Sequence, residues 1–597
     1  MSIYQPPLKD MSFVIESVAG LKRVNTTSLF SDAGEDVVMA ILEEASKFAS
    51  EVMAPSNSAG DYKGCQLENG VVRVPDEFIE VYKAFSDAGW NSVPFDPEYG
   101  GQGLPQLVNV PLQEMWYSAN MALTLGPLLT QGAIEAIHAH GSEEQKNTYL
   151  EKLISGQWSG TMNLTEPHAG TDVGALKSKA EPQSDGSFRI KGQKIFITWG
   201  EHEASENIIH LVLARTPGSP DGTKGISLFI VPKYLVNSDG SLGERNDLRC
   251  AGLEEKIGIH GSPTCVMAYG DNEGAIGYLI GEENKGMACM FTMMNNARLS
   301  VGVQGLAIAE RAYQHALAYA KERVQGGAID RSSKSVTIIK HPDVRRNLML
   351  MKSQIEAMRG LSYLAMAAVD LSRASEDSEE REKQGKFADL LTPLVKAWCT
   401  DLGVEIASLG VQIHGGMGFI EETGAGQFYR DARILPIYEG TNGVQALDLM
   451  GRKLGRDQGA TAQAFMLEMQ AVLEPLKALD DPNALRISEA LESALKNLSK
   501  TTLWLLETSS ENILDASSGA TPYLELFSIT AGGWIMAQRF LAAKAKLAEG
   551  DSDTAFWEGQ CITARFYADN CLSKSSGLAA AATASGATVN ALSEDQF

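Results

Sequence analysis

The chain has 597 residues, of which 44% are hydrophobic and 21% are charged, an ordinary composition for a folded protein outside the membrane. Its 75 acidic residues outnumber its 51 basic ones and give a formal net charge of -24. Because phosphate backbones are bound by clustered Lys and Arg, this charge disfavours general nucleic-acid binding. A single hydrophobic core stops growing at about 250–300 residues, so the length predicts several domains.

The N-terminus and the cysteines bear on the compartment. The opening MSIYQPPLKDMSF lacks the basic-then-apolar pattern of a signal peptide, and no stretch reaches the ~18 uninterrupted apolar residues of a membrane span. We therefore expect a cytoplasmic protein with no transmembrane segment. The 7 cysteines are scattered and never spaced as C-x-x-C, which argues against a disulfide framework and a zinc site, so no metal is expected.

Helical spacing of apolar residues dominates the first part of the chain. It predicts a helix over 35–53 that Pro55 closes, and a second helix over 76–89 that Asp76 caps. A capping box at 142–145 opens another helix. This part of the chain is therefore predicted to be a helical domain.

The spacing of apolar residues changes from a helical to a strand-like pattern after residue 157. Short runs rich in β-branched residues are separated by turn residues, which is the pattern of a strand-rich domain. The clearest runs cover residues 187–190, 194–198, 208–213 and 226–231, and the pattern continues less clearly over 248–280.

Long helical runs return after residue 281, and their lengths suit a helix bundle. They cover residues 287–323, 341–371 and 386–412. A further helical block follows residue 457 and carries no motif with recognisable chemistry. The patterns together predict a mainly α protein with a central β-domain. The domains expected are an N-terminal helical domain over 1–157, the central β-domain over 158–282, a helical bundle over 283–457 and an additional C-terminal helical domain over 458–597.

The segment YEGT, residues 438–441, places one carboxylate at the end of an apolar run. A helix is predicted to begin at Val444, with Thr441 or Asn442 as its cap. A carboxylate between an apolar wall and a helix start can act as a general base with a raised pKa. The alternative is that Glu439 only complements the positive end of the helix.

A second candidate site begins the strand-rich region. Residues 161–172, TMNLTEPHAGTD, read as a short strand that runs into a turn with hydroxyl groups at Thr165 and Thr171. Such a turn suits the polar edge of a flat heterocycle or a phosphate, and the alternative is an ordinary hairpin corner. Phe196 and Thr198 are expected on one strand face, which suits a flat ring or simple core packing.

Two further segments could contact phosphate. Arg323 ends a long helix beside a Gly-Gly pair, where it either complements the helix terminus or forks onto a pyrophosphate. Residues 412–419, QIHGGMGF, form the densest glycine cluster, but they lack the strand-then-helix setting of a Rossmann fingerprint. His414 in this cluster has no acidic or nucleophilic partner at useful spacing, so we expect it to have no catalytic role.

The order and spacing of these motifs resemble the acyl-CoA dehydrogenase family. The similarity rests on T-E-P-x-A-G-T-D, K-I-F-I-T, the arginine at a helix end, Q-I-H-G-G-M-G-F and I-Y-E-G-T, and covers about residues 35–455. The length of the chain and its extra helical block are similar to the larger bacterial branch, which includes 3-(methylthio)propionyl-CoA dehydrogenases. The resemblance implies a helical domain, a β-barrel-like domain and a four-helix bundle, with FAD bound between them and shared across a dimer interface.

The resemblance also implies residue roles. Glu439 matches the catalytic base. FAD contacts are implied at Met162, Leu164, Thr165, Gly170, Thr171, Phe196, Thr198, Arg323, Gln412, Gly415, Gly416 and Thr441. Substrate contacts are implied at Thr171, Asn295, Arg298, Tyr438 and Gly440. Many relatives carry Trp, Phe and Gln where this chain has Phe196, Gly326 and Gly443, so some FAD contacts are arranged differently here.

The implied activity is α,β-dehydrogenation of an acyl-CoA thioester of short to medium chain length to trans-2-enoyl-CoA, as in fatty acid β-oxidation. The implied partners are an electron-transferring flavoprotein as acceptor and further copies of the chain, as a homodimer or a dimer of dimers. Three alternatives stay open within the fold: a specific 3-(methylthio)propionyl-CoA dehydrogenase, an acyl-CoA oxidase, and a DNA-associated flavoprotein. A helical interaction protein without flavin is the alternative outside it.

Overall fold

The computed structural model describes residues 3–584 and 586–597. Their helices are α1 Leu8–Ser17, α2 Leu21–Val24, α3 Glu35–Lys47, α4 Asn57–Lys63, α5 Asp76–Asp87, α6 Gln106–Ala119, α7 Met121–His140, α8 Glu143–Ile154, α9 Gly286–Glu322, α10 Pro342–Ala374, α11 Ser378–His414, α12 Ala425–Ala432, α13 Asn442–Asp448, α14 Ala460–Ala471, α15 Leu473–Lys477, α16 Pro482–Glu511, α17 Ile513–Ser518, α18 Ala520–Glu549, α19 Thr554–Asn570, α20 Ser575–Ala582 and α21 Gly586–Val589.

The strands lie almost entirely in the middle of the chain. They are β1 Gln66–Glu68, β2 Val71–Arg73, β3 Trp158–Asn163, β4 Lys179–Pro182, β5 Phe188–Thr198, β6 Asn207–Ala214, β7 Ser227–Pro232, β8 Tyr234–Val236, β9 Leu242–Arg245, β10 Leu248–Leu253, β11 Thr264–Tyr269 and β12 Ala275–Ile280. Eight strands form one sheet in the order β10-β11-β5-β12-β7-β6-β3, with β4 also paired to β5. Strand β3 runs parallel to β6, whereas β6 and β7 are antiparallel. A mainly α protein with a central β-domain is therefore confirmed.

The described residues group into two compact units. The sheet unit comprises residues 47–104 and 119–300, and the bundle unit comprises residues 1–46, 105–118 and 301–597. Helix α9 contributes its first part to the sheet unit and the rest to the bundle unit. The predicted division into four domains stays a prediction.

Strand β5 is the centre of the sheet unit. It pairs with β4, β11 and β12, and its apolar side chains join a buried cluster with residues of β6, β7 and β11. At Gly192 the backbone passes so close to Ser178 that an added Cβ would lie 2.3 Å from its Oγ. This glycine lets one long strand form where the sequence predicted two runs, over 187–190 and 194–198.

The long helices α10 and α11 form the core of the bundle unit, and helices of the C-terminal region pack on them. Where α10 meets α18, an added Cβ at Gly360 would lie 2.2 Å from Ile535. None of the helices in the part of the chain that the structure describes combines the length and the apolar composition needed to cross a membrane.

A buried cluster of charges ties five helices of the bundle unit together. Arg359 on α10 donates to Glu114 on α6 at 2.6 Å, to Glu310 on α9 at 2.8 Å and to Asp10 on α1 at 2.5 Å. Arg539 on α18 binds the second oxygen of Asp10. Although burial opposes the shift, these two arginines hold the pKa of Asp10 well below its usual value. The N-terminal helix is therefore anchored by charge pairs inside the unit.

The structure corrects three details of the predicted helices. Pro55 does not end the helical path, because a π-helical turn over Phe48–Met53 and a 3-10 turn over Ala54–Ser56 lead directly into α4. Asp76 is the first residue of α5, and Pro75 occupies the cap position without a side-chain bond. Helix α9 ends at Glu322, one residue before Arg323. The capping box at 142–145 is confirmed.

Candidate functional site

The motif over residues 161–172 forms the end of β3 and the turn that follows it. In this turn the N–H groups of Glu166 and Ala169 each donate to the carbonyl of the other, at 3.1 and 3.0 Å. The N–H of Ile195 on β5 donates to the carbonyl of Thr165 at 2.9 Å. The turn and the strand that carries Phe196 are therefore neighbours in space.

A buried ion pair supports this turn. Lys194 is fully buried, and its Nζ donates to Glu166 Oε1 at 2.9 Å and to the carbonyl of Leu164 at 3.0 Å. Glu166 also accepts from Ser178 Oγ at 2.6 Å. Burial lowers the pKa of Lys194 to about 8, although Glu166 opposes the shift. Burial alone would raise the pKa of Glu166, but Lys194 and the hydrogen bonds lower it, so the pair is ionised at neutral pH.

The predicted flavin-facing positions include an exposed aromatic ring. Phe196 is 57% exposed and has a φ of 59° at a bulge where two residues of β5 oppose one of β11. Leu164 is buried, Met162, Thr165 and Thr198 are half-buried, and Gly170 and Thr171 are exposed. At Gly170 an added Cβ would meet no atom within 4 Å, so the backbone there is accessible. A bare ring face beside hydroxyl groups and accessible backbone fits a flat heterocycle with polar edges, such as the flavin ring.

The two residues expected near the CoA end lie on α9 in the sheet unit. They are three positions apart, which places them on neighbouring parts of the helix surface. Asn295 is exposed, whereas Arg298 is buried. The structure therefore presents Asn295 to solvent, and a substrate contact of Arg298 stays a prediction.

The predicted base lies in the bundle unit, directly before α13. Glu439 has a left-handed backbone with a φ of 55°, and Gly440 follows with a φ of 85°. Thr441 Oγ1 accepts from Val444 N at 3.4 Å, so of the two predicted caps Thr441 is confirmed, but α13 begins at Asn442 and not at the predicted Val444. Gln445 Nε2 donates to the carbonyl of Glu439 at 3.2 Å. A left-handed glutamate costs about 1–3 kcal/mol and persists only where surrounding contacts hold it, which is typical of functional sites.

Tyr438 connects the segment that carries Glu439 to α9. Its hydroxyl donates to Oε1 of Gln304, which is fully buried. Tyr438 is half-buried, and burial of its hydroxyl raises its pKa well above the usual value, with the charges of Tyr117 and Glu439 acting in the same direction. Tyr438 therefore stays protonated, and its hydroxyl donates a hydrogen bond to Gln304.

The positions expected to contact phosphate are all exposed. They are Arg323, Gln412, Gly415 and Gly416. Arg323 Nη2 donates to Gln325 Oε1 at 3.3 Å just beyond α9. An added Cβ would meet no atom within 4 Å at either Gly415 or Gly416. An exposed guanidinium and accessible glycine backbone are the groups that a pyrophosphate requires.

His414 packs inside the bundle unit. Its Nδ1 lies 2.7 Å from the carbonyl of Gly410, and its ring stacks on Tyr319 with centroids 4.5 Å apart and lies 4.7 Å from the ring of His315. Burial lowers its pKa. That His414 has no catalytic role stays a prediction.

Sequence reasoning missed three residues that support the site, namely Lys194, Gln304 and Lys396. Each is fully buried, and each bonds to a segment that was predicted to be functional. The available signal was a polar side chain inside an apolar run, as in LVKAW around Lys396, because Lys is almost never fully buried without a specific partner.

Protein-family models match most of the chain. The acyl-CoA dehydrogenase N-terminal domain matches residues 36–157, the middle domain residues 161–271 and the C-terminal domain residues 284–454. A model described as "Acetyl-CoA dehydrogenase C-terminal like" matches residues 465–593. The block without recognisable motifs thus matches a domain of its own.

Two relatives align with this chain over nearly the whole length of both sequences. The chain is 48% identical to a 3-methylmercaptopropionyl-CoA dehydrogenase of Ruegeria pomeroyi, over 95% of this chain and 96% of that protein. It is 36% identical to a butyryl-CoA dehydrogenase of Syntrophomonas wolfei, over 95% and 94% of the two chains. An acyl-CoA dehydrogenase from Bacillus anthracis, solved in complex with FAD, has the same fold with a TM-score of 0.73 and 22% identity, over 96% of this chain and 91% of that chain.

Proposed function

Since this chain belongs to the acyl-CoA dehydrogenase family, we propose that it converts acyl-CoA thioesters to trans-2-enoyl-CoA with Glu439 as the catalytic base. The chain is an oxidoreductase that acts on acyl-CoA, and FAD is its cofactor. The observation that carries the assignment of the base is the left-handed backbone of Glu439, held between Tyr438 and the cap of α13.

The chain's own residues handle the proton in this reaction. The thioester makes the α-hydrogen only weakly acidic, so the site must stabilise negative charge on the carbonyl oxygen while Glu439 takes the α-proton. Gly440, with its φ of 85°, has no side chain to block the approach of a thioester to the backbone N–H of Glu439. Bound FAD would supply the acceptor for the hydride that leaves the β-carbon as the α,β double bond forms.

The proposed FAD contacts are assigned to each unit by itself. The turn and strand of the sheet unit hold the flavin ring through Met162, Leu164, Thr165, Gly170, Thr171, Phe196 and Thr198. In the bundle unit, Arg323, Gln412, Gly415 and Gly416 offer a cation and accessible backbone to the pyrophosphate and adenosine, and Thr441 contacts FAD near the base. The exposure of Phe196, Gly170 and the two glycines after α11 supports this assignment.

The proposed substrates are thioesters of short to medium acyl chains, including 3-methylthiopropionyl-CoA. The full-length relatives named for 3-methylmercaptopropionyl-CoA and butyryl-CoA support this range. Thr171, Asn295, Arg298, Tyr438 and Gly440 are the proposed substrate contacts. A turnover panel from propionyl-CoA and 3-methylthiopropionyl-CoA to palmitoyl-CoA tests the range, and highest kcat/KM with palmitoyl-CoA would contradict it.

An electron-transferring flavoprotein is the proposed acceptor, in β-oxidation, and the chain is proposed to act as a homodimer or a dimer of dimers. The rival is an oxidase, so turnover with a dye acceptor is compared with turnover in oxygen alone. Equal rates would favour the oxidase. All 7 cysteines are free thiols, which supports a reducing, cytoplasmic location.

The assignment of the base is tested by Glu439→Gln. We expect this variant to keep FAD and to bind acyl-CoA, seen as a change in the flavin absorption spectrum, but to lose dye-linked turnover by at least about 1,000-fold. Glu421→Gln is the control, because Glu421 is exposed and pairs with Arg430 on the surface. Substantial turnover by Glu439→Gln would reject Glu439 as the base. Tight, salt-sensitive DNA binding by the wild type would instead favour the DNA-associated branch.

A further inference from the structure

A fully buried lysine contacts the segment that carries the proposed base. Lys396 lies in the middle of α11 at 0% exposure. Its Nζ donates to the carbonyl of Gly440 at 2.7 Å and to Oδ1 of Asn442 at 2.8 Å. The ammonium therefore bonds on both sides of Thr441, from the residue after Glu439 to the first residue of α13.

Burying a lysine at this position costs free energy. Burying an ammonium removes its hydration, so Lys is almost never fully buried unless specific partners hold it. Two carbonyl oxygens from one short segment meet this need with charge-assisted hydrogen bonds, which are stronger than bonds between neutral groups. The arrangement fixes a backbone carbonyl that belongs to neither the sheet nor a helix.

The Gly440 carbonyl that Lys396 binds belongs to the residue directly after Glu439, which has a left-handed backbone. Glu439 has a φ of 55° and Gly440 a φ of 85°. Rotation about the Glu439–Gly440 linkage toward an ordinary backbone conformation would swing the Gly440 carbonyl away from Lys396. Because the bonds to Lys396 oppose that rotation, they hold both the carboxylate and the N–H of Glu439 in one direction.

Asn442 extends the contact to a second turn of α11. Its Nδ2 donates to Asp401 Oδ1 at 2.8 Å and to the carbonyl of Ala397 at 3.1 Å. Its Oδ1 accepts from Lys396, and Thr400 Oγ1 lies 3.0 Å from its Nδ2. The amide is thus surrounded by α11 partners, so the start of α13 is docked in one register along α11.

We propose that Lys396 is a positioning residue for the catalytic base, which clamps the Gly440 carbonyl and the Asn442 side chain and so holds Glu439 in its left-handed conformation. This inference rests on the proposed function, since it assumes that Glu439 removes the α-proton. Lys396 acts through the backbone and does not touch the reacting atoms.

The test separates proton removal from overall turnover. An acyl-CoA analogue whose β-carbon is replaced by sulfur has no β-hydride to lose, but its α-hydrogen still exchanges with D2O when the base works, and NMR measures the exchange. Lys396→Met is expected to lower both kcat and this exchange rate by about 100-fold, with FAD content and KM close to wild type. Lys396→Arg keeps a cation with donors and is expected to restore part of both rates.

Lys233→Met is the matched control, because Lys233 is also a buried lysine, paired with Glu201 in the sheet unit. It removes a buried charge without touching the base segment, so its exchange rate should stay within about 3-fold of wild type despite any loss of stability. If Lys396→Met is not recovered with bound FAD, Lys396→Gln, which keeps an N–H donor on a shorter chain, is expected to lose about 10-fold in both rates.

The outcomes distinguish this inference from the proposed function. If the wild type neither dehydrogenates nor exchanges, the proposed function fails. If the wild type does both, Glu439→Gln does neither, and a folded Lys396→Met or Lys396→Gln exchanges at the wild-type rate, the base stands and the clamp is rejected. A rise in KM with unchanged kcat in the Lys396 variants would also reject the clamp, because it would show a role in binding alone.

Discussion

A methyl group added to Gly305 on α9 would lie 2.3 Å from the carbonyl oxygen of Cys399 on α11, so the backbones of the two helices are in direct contact at this point. Gly302, one turn earlier, makes a similar approach to Val395, with an added Cβ 2.5 Å from its side chain. Gln304, the partner of Tyr438, lies between these two glycines in sequence. The close approach of α9 to α11 at these two glycines therefore determines how deeply Gln304 is buried.

Gly305→Ala should force α9 and α11 apart. We expect a loss of about 1–3 kcal/mol in the free energy of unfolding and a lower kcat, because Gln304 moves with α9. Denaturant unfolding measures the first effect and dye-linked turnover the second. Gly385→Ala on α11 is the control, since its added Cβ meets only Ser372 Cβ at 3.9 Å. Equal stability of the two alanine variants would contradict the contact.

The pair of Lys194 and Glu166 should control retention of the flavin. Lys194→Met leaves the buried Glu166 without its cation, which costs about 3–5 kcal/mol of stability, and it frees the Leu164 carbonyl at the turn. We expect FAD to dissociate at least about 10-fold more readily, measured by the flavin released on dilution. The double variant Lys194→Met, Glu166→Gln should recover part of the stability. Full FAD occupancy in Lys194→Met would show that the pair does not hold the turn.

The charge cluster around Arg359 should dominate the stability of the bundle unit. Arg359→Met leaves buried carboxylates without their shared cation, and we expect a loss of at least about 3–5 kcal/mol, measured by denaturant unfolding. Arg23→Met, which breaks an exposed pair with Glu380, should change stability by less than about 1 kcal/mol. Similar losses of stability in Arg359→Met and Arg23→Met would contradict a dominant role of the buried charge cluster.

Two buried histidines predict a loss of stability in mild acid. His202 Nε2 lies 3.0 Å from Ser159 Oγ, and His210 Nδ1 lies 2.7 Å from Thr161 Oγ1. Burial lowers the pKa of each histidine to about 3, and the charge of Lys233 acts in the same direction. The unfolded chain, with histidine pKa values near ~6.5, binds more protons below that pH, so the folded state loses stability as the pH falls from ~6.5 toward 3.

The expected slope is up to about 1.4 kcal/mol per pH unit for each histidine. Unfolding free energies measured between about pH 7 and pH 5 test it. His210→Gln should make the dependence shallower, because it removes one of the two buried histidines. A pH dependence that is unchanged in His210→Gln would contradict the prediction.

The sequence predicted the helices and strands where periodicity is strong. Residues 287–323 correspond to α9 (Gly286–Glu322) and residues 208–213 lie inside β6, which is buried at every residue, as its apolar run indicates. Local signals failed where the tertiary setting decides. Pro55 was expected to end a helical run that in fact continues, since a proline in the first turn of a short helical segment needs no N–H.

The support of the site lies beyond sequence reasoning for a different reason. Lys396 and the Gly440 carbonyl are 44 residues apart, and Lys194 and Glu166 are 28 residues apart. A lysine in an apolar run signals a buried charge, but its partner is fixed only when helices or strands pack together. The left-handed backbone of Glu439 carries no local signal either, because glutamate has no preference for that conformation.

The most direct measurement is anaerobic mixing of the purified, FAD-loaded protein with one equivalent of butyryl-CoA or 3-methylthiopropionyl-CoA, with the flavin absorption recorded and the thioester product identified. The wild type is predicted to lose its long-wavelength flavin absorption and to yield the trans-2-enoyl-CoA. Glu439→Gln is predicted to show a spectral shift on binding without this loss. Flavin reduction by Glu439→Gln at the wild-type rate would contradict the assignment of Glu439 as the base. No flavin reduction in the wild type by either thioester would contradict the proposed dehydrogenation of short to medium acyl-CoA.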